Sequence, residues 1–137
     1  MKKIILGYDD SEAAERALER TEQLARAFGS EVIVTSVAPV VTGAVRSGGP
    51  IDPTDPPARH VEELKHAKAY LDGQNVNADY VPAIGDPAET IAQIARERDA
   101  DLIVVGAHHP GAIRRLLGPS VSDSVAHKVH CDVLIVH

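Results

Sequence analysis

The sequence predicts an α/β fold, an open and mostly parallel sheet with helices on both faces, and three observations carry that prediction. Short runs rich in Val and Ile alternate with longer segments whose apolar residues recur at helical spacing. The runs KIILGY, EVIVTSVA, DLIVVG and DVLIV are nearly continuous in apolar residues, as expected of strands covered on two sides. Between them stand helix-start signals. The clearest is Asp86-Pro87-Ala88-Glu89, with an N-cap residue, a proline at the first helical position and a glutamate at the third.

The elements follow in order. Strand one runs from Lys3 to Tyr8 and is ended by Asp9-Asp10. Helix one spans Ser11 to Phe28, with Ala14, Leu18, Leu24, Ala25 and Phe28 expected inside and Glu12, Glu15, Arg16, Glu19, Glu22 and Arg26 on the other face. One of the two aspartates is expected to cap it, and Gly29 to stop it. Strand two covers Glu31 to Ala38, almost all β-branched. Residues 42–57 hold three of the ten glycines and four of the nine prolines, which reads as a loop. A second helix from about Ala58 to Leu71 is expected to bury Val61, Leu64, Ala67 or Lys68, and Leu71. Val76 to Val81 alternates apolar with polar residues, the pattern of a half-buried edge strand. Helix three starts at the Asp86 signal, buries Ile91, Ala92, Ile94 and Ala95, and ends near Arg98. Asp101 to Gly106 is a buried strand. Ser120-Val121-Ser122-Asp123 caps a last helix ending near Val129, and Asp132 to Val136 closes the chain as a strand. Neither repeat nor linker divides residues 1–137, so one domain is expected.

Composition excludes several function classes. The 14 Lys+Arg stand against 20 Asp+Glu, a net charge of −6, and there are three Tyr, one Phe and no Trp. Neither the basic footprint nor the stacking aromatics of a nucleic-acid binder are present. No apolar run approaches a membrane span, and Ile4-Ile5-Leu6 is too short for a signal peptide, so the cytoplasm is the expected address. The single Cys131 reads as a core or interface thiol: its neighbours His130 and Asp132 would point to the opposite face of a strand. No GxSxG elbow, Walker loop, CxxC, HExxH or EF-hand pattern occurs, so no catalytic residue and no protein-held metal is assigned.

In a doubly wound sheet ligands sit beyond the carboxyl ends of the strands, where strand order reverses. That directs attention to Asp9, Asp10, Ala38 to Val41, Ala83 to Asp86 and Gly106 to Gly111. Between residues 106 and 130, Arg114, Arg115 and Lys128 face one acid, Asp123, a local excess of 3 − 1 = +2 inside an acidic chain. Glycines after a strand and a serine-capped helix suit an anion such as phosphate. Asp9 or Asp10 across the crevice suits a ribose, an adenine or a phosphate-bound cation. A phosphoacceptor receiver domain shares the length and the acidic pair, but strand three ends Val81-Pro82-Ala83 without an acceptor aspartate, and no lysine follows the last strand.

Three segments, IILGYDDSEAAERAL, GDPAETIAQIARERDADLIVVGAHH and SVSDSVAHKVHCDVLIVH, together resemble the universal stress protein family over essentially the full length. The resemblance implies a five-stranded parallel sheet of order 3-2-1-4-5 and an adenine nucleotide (ATP, ADP or AMP) at the ends of strands one and four, with Mg2+ or Mn2+ held through its phosphates. Asp9 matches the position that recognises adenosine, and Val40 or a neighbour would contact the base. Of the family's phosphate motif, Gly106 fills the first glycine place and Ser120 the hydroxyl place, whereas His109 and Pro119 replace the other two glycines and Gly118 lies one residue early. His108 and Arg114 would supply donors, Gly111 and Gly118 freedom of the backbone, and Ser120, Val121 and Ser122 phosphate contacts. Hydrolysis or autophosphorylation would be slow at most, and the activity is regulatory or protective in a stress response. The resemblance also implies a homodimer through Val133, Leu134, Ile135 and Val136. The alternative function is a dimeric stress-response interaction module that binds no nucleotide, which the changes at His109 and Pro119 favour.

Overall fold

A computed structural model describes residues 2–9, 11–38, 57–107, 129 and 131–137. In chain order the elements are β1 (Lys3–Gly7), α1 (Glu12–Phe28), β2 (Glu31–Ala38), α2 (Pro57–Gly73), β3 (Ala78–Ile84), α3 (Pro87–Glu97), β4 (Leu102–Gly106) and β5 (Asp132–Val136). They form one five-stranded sheet of order β3-β2-β1-β4-β5, and each neighbouring pair is parallel. The fold and strand order are those expected. The helix expected from Ser120 lies outside the described residues.

Burial follows from the alternation of side chains along each strand. Ile4, Leu6, Val32, Val34, Leu102 and Val104 pack beneath α1 and α2 through Leu18, Ala25, Leu64 and Leu71. Their neighbours Ile5, Ile33, Ile103 and Val105 face the other way, onto Ile91, Ala92, Ile94 and Ala95 of α3 and onto Val129. The central strands are thus apolar on both faces, and β3 at the edge is only half-buried. Pro82 sits in β3, where an edge strand tolerates a missing N–H.

The helix ends match their capping signals, with one change at the start of α1. The N-cap of α1 is Ser11, whose Oγ accepts from the Ala14 N–H at 3.1 Å, so Asp9 does not cap the helix directly. Asp9 instead accepts from Ser11 N at 3.1 Å and Ser11 Oγ at 2.6 Å, bracing the cap. Asp86 caps α3 by accepting from Glu89 N at 3.0 Å, and Gly29 ends α1 in the left-handed region. The inner faces also differ from expectation. Phe28 and Val61 are 57% and 41% exposed and Lys68 is exposed, whereas Glu22, His60 and Glu63 are buried. Glu22 is kept inside by Arg26, 2.5 Å away. A polar residue with a partner thus takes the place that spacing alone would give to an apolar one.

At the amino end of the sheet, Asp101 Oδ2 accepts from the backbone N–H groups of Lys2 and Lys3 at 2.7 and 2.9 Å. Those bonds, Lys3 first and Lys2 next, hold its carboxyl below the ordinary value of 3.8. Because the folded group titrates lower than the unfolded one, this clip contributes stability above 3.8 and loses it as pH falls through the lowered folded value. Asp101→Asn is therefore expected to make the acid side of the stability profile less steep. An acid limb identical to wild type in denaturant titrations would assign the acid loss to other groups.

Candidate functional site

The carboxyl-terminal rim of the sheet is where the sequence places its chemistry, and the register brings two of the named residues together there. Gly7 stands opposite Val105, so Asp9, two residues further on, leaves β1 beside the point where Gly106 and Ala107 leave β4. The helices α1 and α3 begin at this same rim, as does α2. The bond from Tyr8 N to Thr35 O ties β1 to β2 beside α1, and the bond from Gly85 N to Ala38 O closes β3 against β2 beside α3. Gly85 has a φ of 151°, and a Cβ on it would come within 2.7 Å of Thr90 Oγ1, so glycine is required at that turn.

Asp9 is half-buried at this rim, and its Oδ1 takes both bonds from Ser11. Tyr8, buried beneath it, donates its hydroxyl hydrogen to Glu15 on α1.

Gly106 lies directly against the start of α1. A Cβ there would lie 2.5 Å from the carbonyl carbon and oxygen of Ala13. The first turn of α1 therefore fills the space over this glycine. Its missing side chain allows the close packing of this helix on the strand. Its partner in β5 is Val136, whose carbonyl accepts from Ala107 N at 2.8 Å.

Val40, His108, His109, Gly111, Arg114, Gly118, Ser120, Val121 and Ser122 lie outside the described residues. Among the described residues no three His, Cys, Asp or Glu side chains converge as a metal site, and no helix is long and apolar enough to cross a membrane. Cys131 is half-buried against the α3-side core. Burial first, then Asp132 and Asp101, push its thiol above the ordinary value, away from the reactive thiolate.

One polar group escaped the sequence reading altogether. Ser36 on β2 meets His60 and Glu63 on α2 in a buried cluster. The available signal was the spacing of His60, Glu63, Leu64, Ala67 and Leu71, which is one helical stripe once its two polar members are allowed inside.

The rim geometry agrees with comparisons to known proteins. Residues 1–137 match the model of the universal stress protein family. The chain is 30% identical over 143 residues to universal stress protein Rv1636 of Mycobacterium tuberculosis, covering 99% of this chain and 96% of that protein. It is 29% identical to universal stress protein MJ0531 of Methanocaldococcus jannaschii, over 98% of this chain and 81% of that one. Among solved structures, it superposes with a TM-score of 0.71 on a universal stress protein in complex with cAMP, at 26% identity over 99% of this chain and 97% of the other. A universal stress protein from Archaeoglobus fulgidus, in complex with dAMP, has the same fold at 24% identity, with a TM-score of 0.71 over 100% and 98% of the two chains. The strand order, the pairing of the Asp9 and Gly106 ends at one rim, and the full-length match lead to one conclusion: the chain belongs to the universal stress protein family.

Proposed function

We propose that this protein binds an adenine nucleotide at the carboxyl-terminal rim between β1 and β4 and acts as a nucleotide-responsive regulatory or protective protein in a stress response. The observation that supports this reading is the β1–β4 register, which sets Asp9 beside the end of β4 in a chain similar over its full length to a universal stress protein in complex with cAMP. Asp9 accepts from the ribose hydroxyls, and Val40 borders the base. His108, His109, Gly111, Arg114, Gly118, Ser120, Val121 and Ser122 serve the phosphates of ATP or ADP, with Mg2+ or Mn2+ held by those phosphates and not by a protein cage. The environment of Gly106 moves the phosphate contacts away from the strand end and onto that following segment. Pro119 offers no backbone N–H there, so side chains, Arg114 and Ser120 first, supply the donors. The role is binding, with at most slow hydrolysis or autophosphorylation.

Calorimetry on protein stripped of copurified ligand, with ATP, ADP and AMP and with and without Mg2+, tests this reading. Micromolar binding is expected, weakened about a hundredfold by Asp9→Ala, the scale of losing hydrogen bonds to a charged acceptor. Asp9→Asn, which keeps an acceptor for Ser11, controls for the brace on the α1 cap. Absence of heat up to millimolar nucleotide would overturn the reading in favour of a nucleotide-independent interaction module.

We also infer a homodimer joined through β5. Beyond its ladder to β4, no other strand pairs with β5 among the described residues, and Val133 is 39% exposed. An apolar strand with one open edge suits a second copy of itself across a two-fold axis.

A further inference from the structure

The buried cluster between β2 and α2 has a defined hydrogen count. Ser36 Oγ donates to Glu63 Oε2 at 2.6 Å, and His60 Nδ1 lies 2.6 Å from Ser36 Oγ and 3.0 Å from Glu63 Oε2. Three mutual contacts among these atoms need two hydrogens, and the serine supplies one. A bare Nδ1 would face the carboxylate acceptor against acceptor, so the second hydrogen resides on Nδ1, which donates into the serine–carboxylate pair. Arg59 Nε, 3.5 Å from Oε1, reaches the same carboxylate from the solvent side. Ser36, His60 and Glu63 are 1%, 5% and 4% exposed.

The cluster occupies a particular place on α2. The apolar anchors of that helix, Leu64, Ala67 and Leu71, belong to its later turns. Its carboxyl end is tied again by the short turn into β3, with Val76 N bonded to Leu71 O, and by Arg26 Nη2 donating to Gln74 O at 2.7 Å. Through residue 63, by contrast, Arg59, Val61 and Glu62 are exposed, and the buried side chains among those described are His60 and Glu63 alone. Among the described side chains, the first two turns of α2 therefore meet the sheet through the polar cluster, and the rest of the helix meets it through apolar packing.

We propose that Ser36, His60 and Glu63 form a polar latch through which the first two turns of α2 dock on and leave β2 as a unit, while the later turns stay fixed. Apolar docking weakens gradually and exposes greasy surface on opening. A closed polar triad behaves differently: loss of one member leaves the others unsatisfied in a dry site, whereas release to water rehydrates all three. The latch is thus a closed-or-open contact at the low-stability end of an otherwise firm helix. Ser36 lies two residues before β2 ends at Ala38, so the latch opens at the same rim as the crevice.

Residue-resolved amide hydrogen exchange on the whole chain, at one pH and without ligand, tests the latch independently of nucleotide binding. In Ser36→Ala and in Glu63→Gln, protection of amides 61–65 is expected to fall about tenfold or more, with amides 68–73 unchanged. The apolar set Ser36→Ala, His60→Leu and Glu63→Leu is expected to hold the first turns at or above wild-type protection, since packing then replaces the polar contact. An equal fall in both halves of α2, or no fall at 61–65, would overturn the latch. Loss of the fold in both single variants would do so too, because the triad would then support the whole domain.

Discussion

Gly106→Ala is expected to destabilise the domain by about 3 kcal/mol, the upper range for forcing extra volume into a packed site. The added Cβ would meet the Ala13 carbonyl carbon and oxygen at 2.5 Å and the Ala13 Cβ at 2.8 Å. Two of the three obstructing atoms are backbone, so no rotamer change relieves the contact; α1 must move away from β4. That shift carries Ser11 and Asp9 with it, because both belong to the braced start of α1. The substitution should therefore lower stability and also disturb the crevice from beneath. Gly73→Ala, where a Cβ meets nothing within 4 Å, is the control and should leave stability unchanged or slightly raised. Equal urea midpoints for Gly106→Ala and Gly73→Ala would refute the packing role assigned to Gly106.

Val133→Pro is expected to convert a β5-linked dimer to monomer, raising its dissociation constant about a hundredfold or more, some 2.7 kcal/mol. The choice of position comes from the ladder. Asp132 N donates to Asp101 O and Val136 O accepts from Ala107 N, so residues 132, 134 and 136 turn their backbone groups toward β4. Val133 and Ile135 turn theirs outward. Proline at 133 removes one outward N–H and leaves the β4 ladder whole, as an edge strand permits. Sedimentation velocity over a concentration series reads the outcome. Identical behaviour of variant and wild type would place any self-association elsewhere on the surface.

The α/β class and the five strands were legible in the sequence because each central strand is a short β-branched run between helices carrying their own start and stop signals. Asp86-Pro87 and Gly29 act through local bonds within a few residues, so local pattern marks those boundaries, whereas the cap of α1 fell to Ser11 and not to the aspartate expected. The strand order came from the resemblance to a family and not from periodicity, since no local pattern says which parallel strands are neighbours. The crevice was legible in the same way: Asp9 and Gly106 were named as strand-end residues, and the register of β1 with β4 makes them neighbours.

What local pattern could not supply were contacts between residues far apart in the chain. Gly106 reads as a motif glycine until α1 is laid over it, when the backbone of Ala13 becomes the reason for its missing side chain. Glu22 reads as a solvent residue because a lone charge is costly to bury, and nothing along α2 by itself draws His60 and Glu63 inward. Glu22 is paired with Arg26 one turn further along α1, whereas His60 and Glu63 lie inside where Ser36 of β2 meets them. Hydrophobic periodicity is written along one element at a time, whereas close packing and the pairing of buried polar groups depend on two elements meeting. The chain alone therefore specifies the layers, and the folded arrangement determines which polar side chains those layers accept.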